Sequence, residues 1–152
     1  IYFFKKIRYK YQKFEGGSKK MIGVVIVSHS AKVAEGVKDI AEQMNAGGSK
    51  IIAAGGAEGG RIGTNPVLIK ESIEELKDLN NILVFVDLGS AVMSSEMAID
   101  MLDDELSEKV KMMDTPLVEG VIAAVVQAST TDDIDSIIAT AEETRDFRKI
   151  HG

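Results

Sequence analysis

Residues 22–30 read IGVVIVSHS. Ile22–Val27 is a short, unbroken apolar run rich in β-branched residues, the pattern of a strand buried on both faces in a parallel sheet. The polar tripeptide Ser28-His29-Ser30 ends it abruptly. Beyond it Val33, Val37, Ile40, Ala41 and Met44 recur at helical spacing, and Gly47-Gly48 supplies a stop. A histidine thus stands in the turn between a buried strand and the helix that follows.

The same alternation continues along the chain. Lys50–Ala54 reads as a second strand, and Gly55–Thr64 (GGAEGGRIGT) as a flexible loop. Asn65-Pro66 is a helix start, with Asn as N-cap and Pro at the first helical position. Ile69, Ile73 and Leu76 form its apolar stripe, which runs out near Asn80. Ile82–Val86 (ILVFV) is a third buried strand, leading through Asp87-Leu88-Gly89-Ser90 into a helix from about Ala91 to Leu102. A short fourth strand is expected at Val110–Met113, then helices over Pro116–Ala128 and Asp132–Thr144. Strands alternating with helices define an α/β fold, an open and mainly parallel sheet flanked by helices, with right-handed crossovers. Ligands in such sheets sit at the carboxyl ends of the strands. Ser28–Ser30, Gly55–Thr64 and Asp87–Ser90 are expected to converge there.

Composition narrows the function. At 152 residues the chain is long enough for one domain with a real core and too short for two ordinary ones. It has no Cys and two His, His29 and His151, which removes disulfides, thiol nucleophiles and sites built from several histidines. No apolar run approaches the ~20 residues of a membrane helix. The net charge of −6 divides into +6 over residues 1–20 and −12 over the rest. An acidic body argues against nucleic acid as partner. Residues 1–20 hold all three Tyr and three of the five Phe. They lack the apolar core and cleavage site of a signal peptide. A basic, aromatic arm for a membrane or nucleic acid is one reading. The preferred expectation is a misassigned start: Glu15-Gly16-Gly17 can be encoded by a purine-rich ribosome-binding sequence, and Met21 follows at a suitable distance. Residues 21–152 would then be a single domain.

The candidate chemistry centres on His29. A neutral imidazole nitrogen is a competent nucleophile toward phosphorus, and an unperturbed histidine, with pKa ~6.5, is largely neutral at pH 7. Unpaired N–H groups at a helix start favour an attached phosphoryl group, which would also meet the Ser30 hydroxyl. The alternative is a structural histidine capping the helix. Asp87, at the end of the third strand, can accept a hydrogen bond from one ring nitrogen, fix the tautomer and aim the other nitrogen outward. Its alternative role is N-cap of the next helix. The Gly55–Thr64 loop lacks the Gly-Lys-Ser/Thr ending of a nucleotide P-loop, and no Gly-x-Gly-x-x-Gly follows the first strand, so a dinucleotide site is unsupported. Between Met21 and Thr144 the only arginine is Arg61. Enzymes that hold small phosphate esters commonly use arginine clamps, so a phosphohydrolase or mutase is poorly supported. A carrier whose protein partner supplies contacts has less need of them. No carboxylate cluster marks a magnesium site, and no metal or bound cofactor is expected; the phosphoryl group itself would be carried on His29.

At this point the motifs MIGVVIVSHSAKVAEG, RIGTNP, VDLGSA and TPLVEG, in this order between Met21 and Thr144, resemble those of the phosphoryl-donor subunit of bacterial phosphotransferase-dependent dihydroxyacetone kinase. The resemblance implies the fold of mannose-type IIA domains of the phosphotransferase system, commonly a homodimer, in the cytoplasm. It implies that the residue matching His29 takes a phosphoryl group from the phosphocarrier protein HPr and passes it to ADP held by the nucleotide-binding subunit of the kinase. The position matching Asp87 orients the histidine, and Gly63, Thr64, Gly89 and Ser90 match positions lining the site. The chain resembles the single-domain form, which relies on separate phosphotransferase proteins.

Two other readings stay open on the sequence. A IIA component of a mannose-type sugar transporter would use the same chemistry at His29 with a different recipient. A non-catalytic binding module of the same fold would keep His29 for structure alone.

Overall fold

The computed structural model describes residues 21–151; residues 1–20, read from the sequence as a misassigned start or else a basic arm, lie outside the described residues. Among these, four strands form one sheet: β1 (Gly23–Ser28), β2 (Lys50–Gly55), β3 (Ile82–Val86) and β4 (Val110–Met113). Their order is β2-β1-β3-β4, and each neighbouring pair is parallel. After β2 the chain returns past β1 to lay β3 on its other side. The carboxyl ends of β1 and β3 therefore border the point where the strand order reverses, the usual ligand crevice of open α/β sheets.

Period-two alternation divides the core. Val24, Ile26, Leu83 and Phe85 face one side, which is covered by α1 (Ala31–Gln43) and by the later helices α5 (Leu117–Ala128) and α6 (Ile134–Glu142). Val25, Val27, Ile82 and Val84 face the other, covered by α2 (Pro66–Glu74), α3 (Gly89–Asp100) and the single turn α4 (Asp104–Ser107). Burial on both faces explains why Val24–Val27 of β1 and all of β3 are apolar. Removing Phe85 from water stabilises the fold by roughly 3 kcal/mol, and it is wholly buried.

Helix starts follow their caps. The Asn65 side chain accepts from the N–H groups of Val67 and Leu68, with Pro66 next in line. The Asp103 and Asp133 side chains cap α4 and α6. The expected stripe of α1 needs correction. Val37 and Ala41 are buried, together with Ala34, whereas Val33, Ile40 and Met44 are exposed. Small residues face the sheet there because α1 starts very close to β2. A Cβ added to Gly55 would lie 2.6 Å from the Ser30 carbonyl oxygen and 2.8 Å from the Ala31 Cα. Three elements were not expected from periodicity, the α4 turn, a 3₁₀ turn at Glu58–Gly60 within the glycine-rich loop and a 3₁₀ turn at Glu143–Asp146 after α6. All are too short to show it.

Candidate functional site

The parallel register sets Val27 beside Val86. One residue further along each strand, Ser28 and Asp87 come together, and the Ser28 hydroxyl donates to Asp87 Oδ2 at 2.9 Å. Next comes His29, about one-fifth exposed. Its main-chain N–H donates to the same Oδ2 at 3.0 Å, and its ring Nδ1 lies 2.8 Å from Oδ1. The Leu88 N–H donates to Oδ1 at 2.7 Å. The Asp87 carboxylate thus collects four donors from both strand ends.

Burial of this carboxyl opposes its ionisation. The hydrogen bonds from the His29 N–H, the His29 ring, the Ser28 hydroxyl and the Leu88 N–H outweigh that penalty and hold its pKa below the ordinary value. An ionised carboxylate accepts and cannot donate, so the proton between the two groups belongs to Nδ1. In the neutral ring Nε2 then carries the lone pair. The Ser90 hydroxyl, in the first turn of α3, is hydrogen-bonded to Nε2, and with Nε2 as acceptor it is the donor. The ring is gripped on its inner nitrogen and presents the outer one at the surface.

The neighbouring backbone suits an anion at that nitrogen. Helix α3 begins at Gly89 with Leu88 as N-cap and no side-chain cap. Gly89 and Ser90 are both exposed. First-turn N–H groups without an internal partner carry partial positive charge and attract anions.

The other residues singled out from the sequence occupy different places. Ser30 is the N-cap of α1, its hydroxyl accepting from the Val33 N–H at 3.3 Å; it supports the turn rather than the ring. Gly63 donates its N–H to the His29 carbonyl at 2.9 Å and has φ of 142°, outside the range comfortable for side chains. The Thr64 hydroxyl lies 2.5 Å from that of Ser94 on α3. Arg61 is exposed, with its Nε–H on the Glu58 carbonyl. Two site residues escaped the sequence reading in any definite role, Ser28 and Ser94. For Ser28 the signal was available in its position one residue before His29 on a strand paired with the one that ends at Asp87.

A parallel sheet with helices on both faces is the α/β architecture of a mannose-type IIA domain. The family model for the PTS system fructose IIA component (EIIA-man) matches residues 23–138, and the chain belongs to that family. Its relatives include phosphoryl donor subunits of PEP-dependent dihydroxyacetone kinases. That of Pantoea ananatis is 44% identical over 80% of this chain and 26% of its own length. The Escherichia coli subunit is 43% identical over 80% of this chain, again 26% of its own length. The subunit of kinase 2 of Listeria innocua is 40% identical over 78% of this chain and 94% of its own length. The chain therefore spans about a quarter of the two enterobacterial proteins and nearly all of the Listeria one. The crystal structure of the unknown-function protein EF1359 superposes with a TM-score of 0.76 at 39% identity, covering 81% of this chain and 94% of that one. Among the described residues no helix is long and apolar enough to cross a membrane.

Proposed function

We propose that this chain is a phosphoryl carrier in which His29 Nε2 accepts a phosphoryl group from phospho-HPr and passes it to ADP bound in the nucleotide subunit of a dihydroxyacetone kinase. The observation that carries this reading is the 2.8 Å contact between His29 Nδ1 and Asp87 Oδ1. It leaves Nε2 as the nucleophile, at the surface, beside the Ser90 hydroxyl and the uncapped start of α3. In uptake the Nε2 lone pair forms a bond to phosphorus, and the donor's leaving atom keeps the electron pair of the bond that breaks. The ring gains positive charge while Nδ1 keeps its proton, and the Asp87 carboxylate offsets that charge. Ser90 and the first-turn N–H groups of α3 meet the phosphoryl oxygens. Transfer onward reverses these changes, with a terminal oxygen of ADP as the attacking atom.

In this reading the chain binds no cofactor or metal of its own, works in the cytoplasm, and pairs as a homodimer. The names of the relatives support the kinase as recipient, as does the ordered motif resemblance between Met21 and Thr144. The test uses phosphoenolpyruvate, enzyme I and HPr, with the intact chain weighed at neutral and acid pH beside His29→Ala. One acid-labile phosphoryl adduct on the wild type alone is expected. Undiminished uptake by His29→Ala would remove this histidine from the reaction. Transfer from the labelled chain to ADP on a kinase nucleotide subunit supports the kinase role. Transfer only to a sugar-transporter IIB domain would reassign the chain as a transporter IIA component.

A further inference from the structure

Helix α3 reaches His29 by two routes. Ser90, in its first turn, bonds the ring directly. Ser94, one turn later on the same side of the helix, bonds the Thr64 hydroxyl at 2.5 Å, and the adjoining Gly63 donates its N–H to the His29 carbonyl at 2.9 Å. The His29 peptide groups are thereby held at both ends, the N–H by Asp87 at 3.0 Å and the carbonyl by Gly63.

The second route matters because of what lies before it. The loop from Gly56 to Gly63 contains four glycines with positive φ, at Gly56, Gly59, Gly60 and Gly63. Such a segment loses much conformational entropy on ordering and gains little from side-chain packing. At positions 59 and 60 an added Cβ would meet no atom within 4 Å. The arm of the loop that leads into α2 therefore depends on a few polar ties. The Thr64–Ser94 pair is one, half-buried on both sides, where a hydrogen bond is less exposed to competition from water.

We propose that Ser94 is a positioning residue for phosphoryl transfer at His29: through Thr64 it fixes Gly63, and through Gly63 it fixes the main-chain carbonyl of the reacting histidine. The inference rests on the carrier reading of His29 and deepens it. Ser94 hydrogen-bonds neither the ring nor its Asp87 partner. It acts by making the first two turns of α3 and the glycine-rich loop move as one support. Asp87 sets the tautomer, Ser90 meets the outer nitrogen, and Ser94 sets the backbone from which the ring projects. A small misplacement of a reacting group lowers the rate without necessarily weakening the binding of a partner.

The test compares the full chain with Ser94→Ala, Ser94→Thr, Thr64→Val and the double variant Ser94→Ala/Thr64→Val. Amide exchange at Gly63 is read on the unphosphorylated chain, and single-turnover uptake is followed across a range of phospho-HPr concentrations. For Ser94→Ala the Gly63 amide is expected to exchange about fivefold faster, the scale of one ordinary hydrogen bond. The saturating rate is expected to fall about tenfold with the half-saturating concentration unchanged. Ser94→Thr keeps the hydroxyl and restores both, Thr64→Val matches Ser94→Ala, and the double variant is no worse than either single one. Normal Gly63 exchange and uptake in Ser94→Ala, no rescue by Ser94→Thr, or additive losses in the double variant would each overturn the proposal. If the wild type takes up label and Ser94→Ala does so equally well, only the role of Ser94 falls. A wild type that takes up no label from active phospho-HPr would overturn the carrier reading and this inference with it.

Discussion

Asp87 holds His29 by two different groups of the same residue, accepting the ring Nδ1–H on Oδ1 at 2.8 Å and the main-chain N–H on Oδ2 at 3.0 Å. Orientation of the imidazole and placement of its backbone therefore share one carboxylate, which the Ser28 hydroxyl steadies from the end of β1. The arrangement follows from the sheet order, since β1 and β3 are neighbours although His29 and Asp87 are 58 residues apart.

Asp87→Asn removes both the charge and half of the acceptor capacity. The amide NH₂ cannot accept, so one pair of donors loses its partner, either Ser28 Oγ–H with the His29 N–H or the His29 ring with the Leu88 N–H. Phosphoryl uptake from phospho-HPr is expected to slow by about a hundredfold or more, as when an oriented catalytic group loses its partner. The donors from Ser28 and His29 are part-buried and the Leu88 N–H is exposed, so the loss costs about 1 kcal/mol, the low end for an unsatisfied donor, and the thermal midpoint falls as well. Rapid-quench labelling and a melting curve on the same preparation check both. A labelling rate close to wild type would show that the ring is oriented without this carboxylate.

Ser30 caps α1 with its hydroxyl on the Val33 N–H. Ser30→Ala is expected to lower stability by about 1 kcal/mol, and Ser30→Asp, an equally good cap, to retain it. Urea unfolding of the three proteins provides the comparison. Equal stability in Ser and Ala forms would mean that the cap contributes nothing here.

Gly55 sits where β2 meets the start of α1, and an added methyl would fall 2.6 Å from the Ser30 carbonyl oxygen. That oxygen and the Ala31 Cα, 2.8 Å away, are main-chain atoms, so the backbone itself must shift. Gly55→Ala is expected to destabilise the fold by about 1–3 kcal/mol, the usual range for overpacking, and to loosen the turn that carries His29. Denaturant midpoints measure the first effect, and the His29 amide exchange rate the second. An unchanged midpoint would show that β2 and α1 separate at little cost.

Most of the architecture was legible because buried parallel strands are short continuous apolar runs. Ile82–Val86 and Val110–Met113 begin and end in the fold where the sequence places them. Helix α1 was legible as a helix but only in part of its buried face, at Val37 and Ala41. Ala34, Val37 and Ala41 carry the contact while Val33, Ile40 and Met44 stay outside, an arrangement set by the close approach at Gly55 that no residue pattern within the helix records. Asp87 and His29 could be paired in advance because both end apolar strands in a sheet whose carboxyl ends converge. Ser94 could not, since a serine within a helix has no local feature that marks a partner 30 residues away in the chain.

The depressed pKa of Asp87 has a consequence for stability in acid. The unfolded chain binds the proton near the ordinary carboxylate value, about 4, whereas the folded chain resists it to a lower pH because four donors point at the ionised form. Stability from this group is therefore fully present above about pH 4 and is lost as pH falls through the lower, folded value. Asp87→Asn has no proton to bind there, so the pH dependence of its stability in that window should be shallower than that of the wild type. Urea midpoints taken at intervals from pH 6 down to about pH 2 give the two curves. Wild type and variant curves that run parallel throughout would mean that the carboxylate titrates alike in the folded and unfolded chains, and the hydrogen bonds at Asp87 would then have no net preference for its charge.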